Sequence, residues 1–169
     1  MPRLLLVRHA DAEADGPEGD ISRPLTAQGW ADAAQAGLYL RASGLIPDFA
    51  VSSPARRARE TLEAILRALR EVPSSCEFND VLYSGDAETL LEAVTHTSSA
   101  VKTLLMIGHN PGISQFARLL AKAGSSLPSH FPSPSIAVME LFCGDWSRAG
   151  AGCGTLDRFK GFGGKTGCV

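Results

Sequence analysis

Apolar runs without alternation, each followed by a cationic or imidazole side chain, constrain the fold of this chain most. Residues 3–7 (RLLLV) lead into Arg8 and His9, and residues 103–107 (TLLMI) precede His109 by one glycine. Runs of this kind are typical of strands buried on both faces of a mainly parallel sheet. A sheet with two buried faces must be covered by helices on both sides.

Polar side chains that accept hydrogen bonds from free helical N–H groups mark where the covering helices begin. Four such starts are indicated: Thr26, Ser53 followed by Pro54, Asp86, and Asn110 followed by Pro111. Further strands are expected at residues 49–51 and 136–142, with extended chain at residues 76–83. Strands that alternate with helices predict a three-layer α/β/α sandwich with a mainly parallel sheet and right-handed crossovers.

The length of the chain indicates one domain, and the distribution of its glycines indicates a looser structure near the C-terminus. The chain has 169 residues, of which 44% are hydrophobic, which suffices for one sizeable core. Eight of its 17 glycines lie in the last 26 residues, so a loose C-terminal region is expected. Trp146, Leu156 and Phe159 are nevertheless candidates for docking on the body. We predict one domain over residues 1–162 and a flexible glycine-rich tail over residues 163–169.

Charge, hydropathy and cysteine spacing argue against several classes of protein. The formal net charge is −2 and the sequence has no basic run, so nucleic-acid binding is not expected. The longest apolar runs have four residues, whereas a helix that crosses a bilayer needs about 20, so no membrane partner is expected. The four cysteines are widely spaced and contain no CxxC pair, which favours free thiols over a structural zinc site. We expect a cytoplasmic monomer.

Basic, imidazole and polar side chains follow three of the expected strands. They are Arg8 and His9 after the first, Ser53, Arg56, Arg57 and Arg59 after the second, and His109 and Asn110 after residues 103–107. In a parallel sheet the carboxyl ends of the strands meet at one edge, where ligands bind. Guanidinium groups, imidazoles and helix N-termini together suit a tetrahedral oxyanion such as phosphate. Taken singly, Arg8 and His9 are also explained as a surface pair, the three arginines after the second strand as a solvated helix face, and Asn110 as a helix cap.

Four motifs, in order along the chain, resemble those of the histidine phosphatase superfamily. They are LLVRHADA at residues 5–12, RPLT-x-x-G at residues 23–29, SP-x-x-RA-x-x-T at residues 53–61 and IGHNPG at residues 107–112. The chain is most similar to the small bacterial phosphohistidine phosphatases, over residues 3 to about 142. The resemblance implies a phosphoglycerate-mutase-like fold. Ala10 stands where much of the superfamily has glycine, and this exchange of one small residue for another leaves the backbone turn feasible.

The resemblance also implies catalytic roles for the residues of the site. His9 would be the nucleophile, attacking phosphorus through a neutral ring nitrogen to form a phosphohistidine intermediate. The groups implied to bind the phosphate and stabilise its charge are Arg8, Arg57 and His109. The motif match selects Arg57 over its neighbours Arg56 and Arg59, which are expected to face solvent or the surroundings of the substrate.

Further expectations concern the support and the electrostatics of this site. Arg23 and Thr26 belong to a recurring motif, which we interpret as a structural buttress more than as a direct phosphate contact. His109 is expected to act in its protonated form, with a pKa at or above the working pH. Because the arginines supply the positive charge that a metal would bring, the expected mechanism needs no metal and no other cofactor.

The leaving group determines which substrate is expected. Larger superfamily members protonate an alkoxide with a carboxylate, whose place in this chain falls among Asp80, Asp86 and Glu88. The small branch typically lacks that acid, at a cost of about 10²- to 10⁴-fold on an ester. A phosphoramidate nitrogen can instead take up a proton before its bond to phosphorus breaks. The expected substrate is phosphohistidine on a phosphorelay or phosphotransfer protein, which would reach the site past a short, open loop at residues 80–86. A phosphomonoesterase for a small phosphorylated metabolite and a non-catalytic phosphate-binding module are the alternatives.

Overall fold

The computed structural model describes residues 1–71 and 73–163. Its strands are β1 (Arg3–Arg8), β2 (Phe49–Ser52), β3 (Ser75–Phe78), β4 (Thr103–Gly108), β5 (Ser135–Leu141) and β6 (Gly154–Gly161). Its α-helices are α1 (Ala27–Ala42), α2 (Arg56–Leu69), α3 (Val81–Ser84), α4 (Ala87–Thr95) and α5 (Gly112–Leu120). Short 3₁₀ helices are formed by Asp20–Ser22 and Trp146–Arg148. No helix of the described ranges has both the length and the apolar character that crossing a membrane requires.

The strands form one sheet in the order β3-β2-β4-β1-β5-β6. Strands β1 to β4 pair in parallel, and β5 and β6 add two antiparallel pairings at one side. The expected mainly parallel sheet is confirmed. Its central strands are the apolar runs of the sequence, because a strand with helices on both faces has no side chain that can face water.

Helices cover both faces of the sheet. Alternate side chains of β1 point to opposite faces, so that Leu5 and Val7 pack against α1 and α2, while Leu4 and Leu6 pack with α4 and α5. The expected three-layer α/β/α sandwich is confirmed. This arrangement leaves the carboxyl ends of β1, β2 and β4 together at one edge.

Two of the four expected helix caps are present. The Thr26 hydroxyl accepts a hydrogen bond from the Gly29 N–H at the start of α1, and the Asp86 carboxylate accepts one from the Thr89 N–H at the start of α4. The Thr26 hydroxyl also donates its proton to the Asp11 carboxylate, which leaves its lone pairs for the helix N–H, and the Asp86 side chain is exposed.

The other two caps were predicted wrongly. Helix α2 begins at Arg56 and α5 begins at Gly112, so neither Ser53 nor Asn110 occupies a capping position. The Ser53 hydroxyl lies 2.8 Å from the ring of His109, and the Asn110 amide nitrogen lies 3.4 Å from the Phe131 carbonyl oxygen. Both side chains are engaged by other groups, and α2 begins two residues later and α5 one residue later than expected.

The extended chain expected at residues 76–83 is only partly present. Strand β3 ends at Phe78, and residues 81–84 form the single helical turn α3. The Asn79 side-chain oxygen accepts a hydrogen bond from the Val81 N–H, a local bond that favours a turn over continued extension. As a result Tyr83 stands at the edge of the sheet where the first and fourth strands end.

The glycine-rich stretch within the predicted domain contains a strand that the sequence did not predict. Strand β6 pairs with β5 along its length, and the buried Trp146 donates its indole N–H to the Val101 carbonyl at 2.8 Å. Leu156 and Phe159 pack against the core, as expected. The glycines serve turns and close contacts: Gly144 and Gly152 have φ values of 84° and 73°, which side chains disfavour. The predicted tail lies, apart from residue 163, outside the described residues, so the boundary at residue 162 stays a prediction.

Candidate active site

The two histidines of the motifs meet because of strand register. Arg8 pairs with Gly108 at the ends of the parallel neighbours β1 and β4, so His9 and His109 each lie one residue beyond a paired position. Their ring centroids are 4.9 Å apart. Strand β2 flanks β4 on its other side and brings Ser53 to within 2.8 Å of the His109 Nε2 atom. The convergence expected from the sequence is therefore present.

The ring of His9 is held in one tautomer. Its Nδ1 atom lies 2.7 Å from the Ala10 carbonyl oxygen, which can only accept a hydrogen bond, so Nδ1 carries the proton. The lone pair is then on Nε2. The backbone of His9 is fixed as well, since its N–H donates to the Gly108 carbonyl and its own carbonyl accepts from the Ser133 hydroxyl. An imidazole held in this tautomer has the free lone pair on Nε2 that a nucleophile requires.

A buried hydroxyl joins the turn after His9 to helix α2. Thr61 has no exposed surface, and its hydroxyl accepts from the Ala10 N–H at 3.0 Å and donates to the Arg57 carbonyl at 2.7 Å. It therefore ties the residue that orients His9 to the turn that carries Arg57. The sequence signal for this role was a hydroxyl on the buried face of α2, one turn beyond Arg57.

The two motif arginines present buried donors at the site. The Arg57 side chain is 7% exposed, and Arg8 donates from Nη1 to the Phe131 carbonyl at 2.6 Å. Within the described residues, the Nε atoms of Arg8 and Arg57 are both buried without a hydrogen-bond acceptor. A buried donor without an acceptor costs about 1–3 kcal/mol. An anion between the two arginines would supply the acceptors.

A carboxylate that the sequence analysis did not single out completes the site. The Asp20 Oδ2 atom accepts from Arg57 Nη2 at 3.0 Å and from the Tyr83 hydroxyl at 2.7 Å, while Oδ1 accepts from Arg23 Nη1 at 2.9 Å. The hydrogen bonds of Tyr83, Arg23 and Arg57 hold the pKa of Asp20 far below its usual range. Asp20 is therefore ionised at neutral pH. No local pattern marks it, because it lies in a long polar loop among other acidic residues.

The residues interpreted as a buttress support the loop around Asp20. Arg23 donates from Nε to the Glu13 carbonyl, and Thr26 donates its backbone N–H to the Asp11 carbonyl. A Cβ atom on Gly29 would overlap that same Asp11 carbonyl oxygen, which explains the glycine at the end of the motif. Arg23 also lines the cavity of the site.

Other candidates from the sequence lie elsewhere. Arg56 pairs with Glu60 at 2.7 Å, and the Arg59 guanidinium lies over the ring of Phe78. The three acidic residues considered as general acids do not line the cavity that contains His9: Asp80, Asp86 and Glu88. Asp86 is engaged as the cap of α4.

The site opens into a cavity of about 540 Å³, which is lined mainly by polar and charged side chains. Burial, followed by the positive charges of Arg57 and Arg8, lowers the pKa of His9 to about 4. Burial, followed by the charges of His9 and Arg57, lowers the pKa of His109 to about 3. His9 is thus neutral, as a nucleophile requires. The protonated His109 expected from the sequence needs the negative charge of a bound anion, which would raise its pKa.

In the described ranges, no three His, Cys, Asp or Glu side chains are grouped closely enough to hold a metal ion. The cavity that contains His9 combines the guanidinium groups of Arg8 and Arg57 with the carboxylates of Asp11 and Asp20, and its guanidinium donors suit a tetrahedral oxyanion.

Comparison with known proteins agrees with this geometry. The family model for histidine phosphatase superfamily branch 1 matches residues 4–79. An uncharacterized protein of Mycobacterium tuberculosis is 31% identical over 160 residues, which are 90% of this chain and 98% of the relative. The structure of a candidate phosphohistidine phosphatase SixA from Nakamurella multipartitia is 30% identical with a TM-score of 0.80, over 95% of both chains. The protein histidine phosphatase SixA in complex with tungstate is 28% identical with a TM-score of 0.80, over 93% of this chain and 95% of the other.

These similarities extend across the sheet and both helical layers, and they confirm the phosphoglycerate-mutase-like fold that the motifs implied. The family model covers three of the four motifs, and the fourth lies where the structure brings His109 beside His9. The chain therefore belongs to the histidine phosphatase superfamily, among its small SixA-like members.

Proposed function

We propose that the protein is a phosphohistidine phosphatase that acts on phosphorelay or phosphotransfer proteins through a covalent intermediate on His9. The observation that carries the proposal is the fixed tautomer of His9, which lines the same cavity as Arg8 and Arg57, each of which has a buried Nε donor without an acceptor. Similarity to the SixA structures supports the same substrate class.

The reaction needs no net proton from the enzyme. The protonated phosphohistidine ring of the substrate leaves as neutral imidazole when its N–P bond breaks and the His9 Nε2–P bond forms. Water then attacks phosphorus, the bond to Nε2 breaks with its electron pair returning to His9, and both water protons leave as part of H₂PO₄⁻. Arg8, Arg57 and His109, whose protonated form the negative charge of the bound phosphoryl group favours, stabilise the charge on the phosphoryl oxygens.

The carboxylates of the chain favour a phosphoramidate over an ester. Asp80, Asp86 and Glu88 do not line the cavity, and the hydrogen bonds of Tyr83, Arg23 and Arg57 keep Asp20 in its ionised form, so none of these four carboxylates is poised to protonate an alkoxide. A protonated imidazole leaves without that help. In this proposal the arginines supply the positive charge on the phosphate, and neither a metal nor another cofactor takes part.

The test is turnover of a phosphohistidine-bearing phosphotransfer domain beside a panel of alkyl phosphate esters, with and without a chelator. We expect kcat/KM on phosphohistidine to exceed that on the esters by orders of magnitude, to survive chelation and to vanish in His9→Ala. Equal efficiency on an ester would assign the protein to the metabolite phosphatases. Phosphate binding without turnover of either class would assign it to the non-catalytic binding modules.

A further inference from the structure

We propose that the carboxylate of Asp20 sets the selectivity of the site, by favouring substrates with an N–H group on the leaving side of phosphorus and opposing phosphate esters. The inference rests on the proposed function, because it concerns which phosphorylated groups the same site accepts.

Asp20 contacts its neighbours through two different groups, its backbone carbonyl and its charged side chain. Its backbone carbonyl accepts from Arg57 Nη1 at 2.7 Å, and its side chain accepts from Arg57 Nη2, Tyr83 and Arg23. An ionised carboxylate offers about four acceptor positions, and three are used here, so one position on Oδ1 remains. Half of the side-chain surface is exposed, and the residue lines the cavity.

The position of Asp20 relative to the leaving group follows from the direction of attack. His9 stands at the strand ends, where its ring packs beside His109, and it approaches phosphorus from that side. In an in-line displacement the leaving group lies opposite the nucleophile. A group carried by a protein enters from solvent, which is the side where Asp20 and the Tyr83 hydroxyl meet. The leaving group therefore comes next to the carboxylate.

The same charge has opposite effects on the two classes of substrate. A protonated phosphohistidine carries an N–H on its second ring nitrogen, and a carboxylate that accepts this hydrogen bond stabilises the positive ring, the form that leaves as neutral imidazole. An alkyl phosphate ester presents an oxygen without a proton, so it has no such hydrogen bond to offset the repulsion between the carboxylate and the charged phosphoryl group, which both classes of substrate share. Asp20 thus favours the first class and disfavours the second.

The substitution Asp20→Asn tests the charge with little change in geometry. It keeps the backbone carbonyl that holds Arg57, and an amide oxygen in the position of Oδ2 can still accept from Arg57 and Tyr83, while Arg23 keeps its bond from Nε to the Glu13 carbonyl. The matched control is Asp11→Asn, which removes one negative charge from the same cavity, where the carboxylate accepts from Thr26 and not from Arg57.

We compare kcat/KM on a phosphohistidine-bearing domain with kcat/KM on an alkyl phosphate. The ratio of the first to the second should fall at least about tenfold in Asp20→Asn, since a unit charge acts strongly on a leaving group next to it. In Asp11→Asn both values should change by similar factors. An unchanged ratio in Asp20→Asn, or the same fall in Asp11→Asn, would overturn the inference.

Calorimetric titration with inorganic phosphate separates this inference from the proposed function, because it needs no turnover. Tighter phosphate binding in Asp20→Asn than in wild type supports the role of the charge, even if wild type hydrolyses no phosphohistidine and the proposed function fails. Equal or weaker binding would contradict the role of the charge whatever the activity of the wild type.

Discussion

Replacing Thr61 by valine removes the hydroxyl that joins the turn after His9 to helix α2 while keeping the shape of the side chain. Both Thr61 and Ala10 are fully buried, so Thr61→Val leaves the Ala10 N–H without an acceptor and without access to water. A buried donor in that state costs about 1–3 kcal/mol in the free energy of unfolding. For a chain of this size, a loss near 2 kcal/mol lowers Tm by about 4–8 °C.

Urea unfolding of Thr61→Val measures this cost, with Thr95→Val as a matched control. The Thr95 hydroxyl also donates to a carbonyl in its own helix, that of Glu92 at 2.7 Å, but it satisfies no buried donor. We expect the control to change stability by less than about 0.5 kcal/mol. Hydrogen exchange at the Ala10 amide should become faster only in Thr61→Val. Wild-type stability together with wild-type protection of that amide would refute the reasoning.

Two further predictions concern the histidines and a motif glycine. The pKa values of about 4 for His9 and about 3 for His109 lie below the ordinary 6.5, so the unfolded chain binds more protons than the folded chain between these values. The free energy of unfolding should therefore decrease as the pH falls from about 6.5 towards 4, and His109→Asn should reduce this dependence; equal pH profiles would contradict it. Gly29→Ala should destabilise the protein by overlap with the Asp11 carbonyl, whereas Gly150→Ala, whose Cβ meets no atom within 4 Å, should not; equal urea midpoints would speak against the assigned close contact.

The sequence predicted the structure correctly where the pattern was local and no contact with a distant part of the chain overrode it. Unalternated apolar runs predicted β1 and β4, because only a strand buried on both faces needs them. Thr26 and Asp86 cap their helices as predicted, since each side-chain oxygen accepts a hydrogen bond from an N–H in the first turn of its own helix. The meeting of His9 and His109 followed from their position after parallel strands.

The rest depended on contacts between distant parts of the chain. Ser53 and Asn110 carry the same local signal as Thr26, but the Ser53 hydroxyl meets the ring of His109 and the Ala55 N–H just before α2, and the Asn110 amide meets the Phe131 carbonyl. Strand β6 was missed because glycines that serve turns and close packing resemble those of a flexible region. Asp20 was missed because its role exists only once the loop is folded over Arg57 and Tyr83.

The central claim is that His9 carries the phosphoryl group during turnover, and trapping the phosphoenzyme tests it most directly. Wild-type protein is mixed with a phosphohistidine-bearing domain, denatured at alkaline pH within milliseconds and mapped by mass spectrometry. We expect an acid-labile phosphate on His9 that is absent in His9→Ala and unchanged in His96→Ala, whose histidine is exposed and distant from the cavity. Phosphate on a different residue, or wild-type turnover by His9→Ala, would contradict the account.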